Sequence, residues 1–105
     1  MRGRPESLSA VTIGVTDMSA SCAFYEALGF DRRYGGPEEG FTSYRVGDGF
    51  LNLQRMDAVE KSWGRFIVHV DDVDAIYERA RAAGHVPVFA PVDAPWGERY
   101  FHIPD

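Results

Sequence analysis

Apolar residues alternate with small or polar ones from Ser9 to Val15, with Val11, Ile13 and Val15 on one side. The same two-residue period returns at Phe66, Val68 and Val70. That period predicts two strands, each with one buried face. Behind each strand the period lengthens. Met18, Cys22, Tyr25 and Leu28 fall near one side of a helix over 18–28. Val73, Ile76, Tyr77, Ala80 and Ala83 form a second stripe over 73–83, with Asp74, Glu78, Arg79 and Arg81 turned to water. Asp17 and Asp72 stand where an N-cap carboxylate takes up free helix N–H groups. Gly29 and Gly84 stand where a left-handed residue ends a helix. The spacing from Asp17 to Gly29 equals that from Asp72 to Gly84. A strand, an acidic cap, a helix and a glycine stop are thus used twice, which predicts a duplicated β-α unit with a pocket between the copies.

After the first helix, Phe30 to Tyr34 reads as a strand broken by Gly35-Gly36-Pro37. Phe41 to Val46 and Phe50 to Gln54 read as a hairpin around Gly47-Asp48-Gly49. The second unit reads as a strand over 65–71, the helix, a short strand Val86 to Phe89, a loop over 93–97 and a strand Glu98 to Ile103. The expected fold class is α+β: two paired βαβββ modules, spanning 8–56 and 65–105, with a mobile tail over 1–7 and a linker over 57–64. The first module has three strands after its helix and the second has room for two. The last strand of the second module is therefore expected to be missing from the chain, leaving an open sheet edge of a kind folded proteins normally protect.

Composition narrows the function classes. With 105 residues the chain fits one domain of modest core, or two small modules sharing a sheet. No apolar run is long enough to span a bilayer, and the charged start Met1 to Ser7 has no apolar stretch behind it, so neither a membrane nor a signal peptide is expected. The single Cys22 excludes an internal disulfide and fits a reducing cytoplasm. It lies on the buried helix face with no sign of activation. A net charge of −5 with scattered basic residues argues against nucleic acid and would tolerate a cationic ligand. The glycines match no phosphate-binding fingerprint and no catalytic triad is proposed.

Strand alternation supplies the candidate site. If Val11, Ile13 and Val15 face the helices, Ala10, Thr12 and Gly14 face the concave side. Likewise Phe50, Asn52 and Gln54 oppose Leu51 and Leu53, Arg65, Ile67 and His69 oppose Phe66, Val68 and Val70, and Tyr100 and His102 oppose Phe101 and Ile103. Small, aromatic and hydrogen-bonding groups together make a small-molecule wall. Each has a plainer role open to it. Arg65 either anchors an anionic ligand group or pairs with a carboxylate such as Glu98. His69 and His102 are either a base or metal pair, or hydrogen-bonded structural residues. Trp63 and Trp96 either stack on a flat ligand or close the module junction.

The β-α-β-β-β order, used twice, carries further local motifs. Phe24-Tyr25-Glu26-Ala27-Leu28-Gly29-Phe30 follows Val15-Thr16-Asp17-Met18, and Ala82-Ala83-Gly84 follows Val70-Asp71-Asp72-Val73. Ala94-Pro95-Trp96-Gly97 precedes Phe101-His102-Ile103-Pro104-Asp105. Together these resemble the glyoxalase, bleomycin-resistance and extradiol-dioxygenase superfamily, the vicinal oxygen chelate proteins. The resemblance implies two modules curling sheets around one concave site, often completed by a homodimer partner. Metal enzymes of that superfamily carry His, Glu or Gln ligands on matched strands. Here those positions fall at Ala10, Asn52 and Arg65, with the last beyond Asp105. Alanine has no donor, an amide is a poor ligand for a transition metal, and a guanidinium repels one.

The expectation is therefore a metal-independent, cofactor-free binding protein of the bleomycin-resistance type, cytoplasmic and homodimeric, sequestering a small, partly aromatic compound. The expected ligand contacts are Thr12, Phe50, Asn52, Gln54, Arg65, His69, Trp96, Tyr100 and His102, with no catalytic and no metal-binding residue. The alternative is a metal-dependent lyase, isomerase or dioxygenase of the same superfamily. Its relocated site would use His69, His102 and a carboxylate beyond Asp105.

Overall fold

The computed structural model describes residues 3–60 and 65–105. Six strands and two helices follow the order β1 (Ala10–Val15), α1 (Met18–Ala27), β2 (Asp31–Tyr34), β3 (Phe41–Val46), β4 (Gly49–Arg55), α2 (Val73–Ala82), β5 (Val92–Asp93) and β6 (Arg99–Tyr100). The first module is a four-stranded sheet in the order β1-β4-β3-β2. β1 runs parallel to β4, from Ala10 opposite Phe50 to Val15 opposite Arg55. The β3–β4 hairpin is antiparallel and closes at Val46 and Gly49 across Gly47-Asp48.

The two helices start and stop by the same local chemistry. The Asp17 carboxylate accepts from the Ala20 N–H at 3.0 Å, and that of Asp72 from the Ala75 N–H at 3.0 Å. Each helix ends in a paired turn. Phe30 N–H donates to Tyr25 O and Gly29 N–H to Glu26 O, while His85 N–H donates to Ala80 O and Gly84 N–H to Arg81 O. Gly29 (φ 95°) and Gly84 (φ 89°) hold the left-handed position that a Cβ would strain.

The core sits between α1 and the inner face of the first sheet. Ile13, Val15, Met18, Cys22, Phe24, Tyr25, Leu28, Tyr44, Leu51 and Leu53 are buried together. The aromatic rings of Tyr25, Phe30 and Tyr44 pack on one another with centroids 5.2–6.1 Å apart. Among the described residues, Thr42 is the buried polar one. Its hydroxyl accepts from Gly36 N–H and donates to Gly36 O, so burial leaves it satisfied. Cys22 is fully buried beside it, Sγ 3.9 Å from Thr42 Oγ1.

The second module rests on this core through Ala80, Ile76, Phe66 and Ile103. Tyr25 spans the two modules by donating from Oη to Asp105 Oδ2 at 2.9 Å. Burial, and then the Asp105 carboxylate, push the Tyr25 phenol well above its ordinary value. Burial does the same to Tyr44, aided by Cys22 and by Glu26, whose carboxylate accepts from Tyr44 Oη at 3.0 Å.

Several expectations need correction here. Residues 65–71 and 86–89 form no strand, and the expected strand Glu98 to Ile103 is reduced to Arg99–Tyr100. The reason is pairing. β1 is a strand because β4 lies beside it, whereas among the described residues no strand lies beside 65–71. The alternation survives without the ladder: Phe66, Val68 and Val70 are half-buried while Arg65, Ile67 and His69 are exposed. Ala83 is also exposed rather than part of the α2 stripe, because it is already the helix cap. Phe24, absent from the expected α1 stripe, is buried against Tyr25 and His85.

Candidate functional site

The face of the first sheet away from α1 carries Ala10 and Thr12 from β1, Phe41 and Ser43 from β3, and Phe50, Asn52 and Gln54 from β4. Strand pairing brings them into rows: Thr12 lies opposite Asn52, and Asn52 opposite Ser43. Asn52 Nδ2 donates to Thr12 Oγ1 at 3.2 Å, and Asn52 Oδ1 accepts from Ser43 Oγ at 2.7 Å. A chain of three polar side chains thus crosses three strands.

Around it lies a hollow of about 360 Å³ lined by Ala10, Tyr34, Phe41, Ser43, Phe50 and Asn52. Tyr34 and Phe41 stand 6.4 Å apart, and the Arg45 guanidinium lies 5.6 Å from the Phe50 ring. Gln54 turns away to the Gly40 carbonyl at 3.3 Å. At the far end of β1, Met56 and Val59 lie over Gly14, where a Cβ would come within 2.5 Å of Met56 Sδ.

A second group forms on the second module. Trp96 stacks on Tyr100 at 6.0 Å with ring planes 28° apart. His102 lies 5.5 Å from Tyr100 and 5.2 Å from Phe89, and Phe89 meets Tyr100 edge-on at 5.6 Å. Trp96 is 68% exposed, so it presents a ring face to solvent and does not close the module junction, which corrects one of the two roles left open for it. Trp63 lies outside the described residues.

The nine expected contacts therefore divide. Thr12, Asn52 and Phe50 come together on the first module, and Trp96, Tyr100 and His102 on the second. Gln54, Arg65 and His69 join neither through a hydrogen bond or ring contact among the described residues. No ion pair joins Arg65 to Glu98. In the second module the arginine that pairs, among the described residues, is Arg99, to Asp74 and Asp93. Tyr34, Phe41, Ser43 and Phe89 were missed. Ser43 and Phe41 were within reach of the sequence, because the two-residue turn at Gly47-Asp48 places them on the Asn52 face.

The superfamily model for Glyoxalase/Bleomycin resistance protein/Dioxygenase matches residues 7–105. The chain belongs to this superfamily. No curated protein matches it. Among solved structures, a glyoxalase/bleomycin resistance protein/dioxygenase from Nocardioides is 27% identical with a TM-score of 0.66, over 99% of this chain and 80% of that one. A bleomycin resistance determinant encoded on transposon Tn5 is 19% identical with a TM-score of 0.69, over 93% of this chain and 98% of that one. TioX from Micromonospora sp. ML1 is 19% identical with a TM-score of 0.67, over 95% and 90%. The last two likenesses are likenesses of fold. The glyoxalase-like fold accounts for the α+β arrangement of two related modules.

The residues present do not fit the metal carried by the enzymes of this superfamily. Ala10 offers no donor atom, and both ends of the Asn52 amide are taken by Thr12 and Ser43. Among the described residues no three His, Cys, Asp or Glu side chains converge. His102 has Phe89 and Tyr100 as ring neighbours, not His69. Among the described residues no helix is long and apolar enough to cross a membrane.

Proposed function

We propose that this member of the superfamily is a metal-independent binding protein of the bleomycin-resistance type, which holds a small, partly aromatic compound without transforming it. The observation that carries this reading is the Thr12–Asn52–Ser43 chain. Its middle member, Asn52, falls where the resemblance would put a metal ligand, and Tyr34, Phe41 and Phe50 line the hollow around it. Such a wall supplies ring contact for affinity and a few fixed polar atoms for orientation. Phe50, Asn52, Thr12, Trp96, Tyr100 and His102 are the proposed contacts within the two groups, with Gln54, Arg65 and His69 exposed beyond them. The negative net charge suits a cationic ligand. The likeness in fold to a bleomycin resistance determinant supports the choice of ligand class.

Titration calorimetry against bleomycin-like glycopeptides and planar cationic antibiotics tests the reading. Saturable heat with a matching thermal shift is expected; neither signal with any compound removes the antibiotic assignment. Elemental analysis of protein purified without chelator addresses the enzyme alternative. A full equivalent of zinc, nickel or iron, retained through dialysis, would favour it. We further propose a homodimer. Ile67 is 87% and Val86 79% exposed, and both would gain from cover by a second copy. Sedimentation at tens of micromolar, about the working range of such assays, should show the dimer.

A further inference from the structure

Trp96 sits at the tip of the smaller of the two described sheets. β5 and β6 pair over two residues each, Val92 with Tyr100 and Asp93 with Arg99. The connecting turn is closed by Ala94 N–H to Glu98 O at 2.6 Å and Gly97 N–H to Ala94 O at 3.0 Å. Pro95 presets the chain just before Trp96. A hairpin this short is marginal by itself in water, so something else must fix its tip.

Arg99 supplies the tie. Its Nε and Nη2 each reach the Asp74 carboxylate at 2.9 Å, and its Nη1 reaches Asp93 Oδ1 at 3.2 Å. Asp74 lies in the first turn of α2, so the fork joins both arms of the hairpin to a helix end. Hydrogen bonding to Arg99 holds the Asp74 carboxyl below its usual range. Arg99 is also the neighbour of Tyr100, the ring on which Trp96 stacks.

We propose that Arg99 is a positioning residue: its fork to Asp74 and Asp93 sets the Trp96–Tyr100 stack that faces solvent. Exposed ion pairs add little to global stability, except where a two-pronged arginine–carboxylate geometry or a network is formed. The effect belongs to the placement of one ring, not to the fold. Its consequence for affinity rests on the binding reading above; its consequence for the ring does not.

The test uses the full chain with Trp63→Phe, so that Trp96 is the sole tryptophan. Near-ultraviolet circular dichroism and acrylamide quenching report its surroundings, and far-ultraviolet dichroism reports the helices. Arg99→Lys keeps the charge but not the planar fork. It is expected to lose about half or more of the Trp96 dichroic band and to quench more readily, with unchanged helix signal. Asp74→Asn should do the same, whereas Asp74→Glu, which keeps a carboxylate, should retain most of the band. In 1 M salt, where screening acts within about 3 Å, the parent should move toward Arg99→Lys. Unchanged Trp96 spectra in both Arg99→Lys and Asp74→Asn would overturn the proposal. So would a band lost only together with the helix signal, because the tie would then be part of general folding. In calorimetry, Arg99→Lys should weaken glycopeptide binding by roughly fivefold. If the parent binds no compound and the spectral change persists, the positioning role stands and the binding reading falls.

Discussion

The two modules begin with the same instructions and reach different ends. Asp17 and Asp72 make the same 3.0 Å cap, and Gly29 and Gly84 close the same paired turn. Yet the first module completes a four-stranded sheet, while residues 65–71, alternating just as β1 does, remain without a ladder. A helix satisfies its backbone within its own segment, so local sequence decides it. A strand needs a neighbour, and alternation says only which face would be buried once a neighbour exists. Periodicity is evidence for a face in both modules and for a strand only where a partner is supplied.

The sharpest way to break this comparison is to cut one apolar residue from each module. Leu53 is fully buried, and Leu53→Ala should cost about 2–5 kcal/mol in urea unfolding. Val86 is 79% exposed, and Val86→Ala should change stability by no more than about 0.5 kcal/mol. Similar losses in the two variants would mean that Val86 is covered in solution, which the proposed dimer would explain.

Alkali tests the core of the first module and its tie to Asp105. Burial raises the phenols of Tyr25 and Tyr44. A phenol raised on folding contributes fully below its unfolded value, about pH 10, and loses that contribution as pH rises toward the folded value. The melting temperature should therefore fall from about pH 10 upward, and less steeply in Tyr44→Phe. Ionisation of all five tyrosines at about pH 11, in protein whose far-ultraviolet dichroism is still native, would contradict the burial argument.

The smallest expected difference lies between the two helix stops. Gly29→Val and Gly84→Val should each cost about 1 kcal/mol or more, because a β-branched residue is strained at positive φ. Gly29 should cost more. A Cβ there meets Arg79 Nη1 at 2.6 Å and would displace the guanidinium that reaches Leu28 O, while Gly84 opens onto empty space. Thermal melts that leave both variants at the parent value would show that these glycines are not needed as caps.

What the sequence disclosed follows the same division between local and distant causes. The caps, both helices, the hairpin turn and the alternation of 66–70 could be read because each depends on residues close together in the chain. The superfamily motifs were legible for the same reason. Ser43 and Phe89 escaped notice because their importance comes from partners across strands or loops: Asn52 for one, Tyr100 and His102 for the other. Arg99 escaped because nothing near it in sequence singles out Asp74, which lies on another element. Arg65 stands out in the sequence only by its likeness to a metal position of the superfamily, while the charge that is held fast is Arg99.

The parallel pairing of β1 with β4 also sets an order of events during synthesis. Val11, Ile13 and Val15 leave the ribosome well before their ladder partner, which ends at Arg55. A chain emerging from its N-terminus must carry the β1 edge unpaired until β4 has followed, which makes this closure slow and exposed to association with other chains. The helix of the second module faces no such wait. By the time Ile76 and Ala80 appear, the surface they bury against can already be in place. The nascent first module is therefore the stage at which a chaperone would matter most, and the second module arrives as a late passenger on a finished platform.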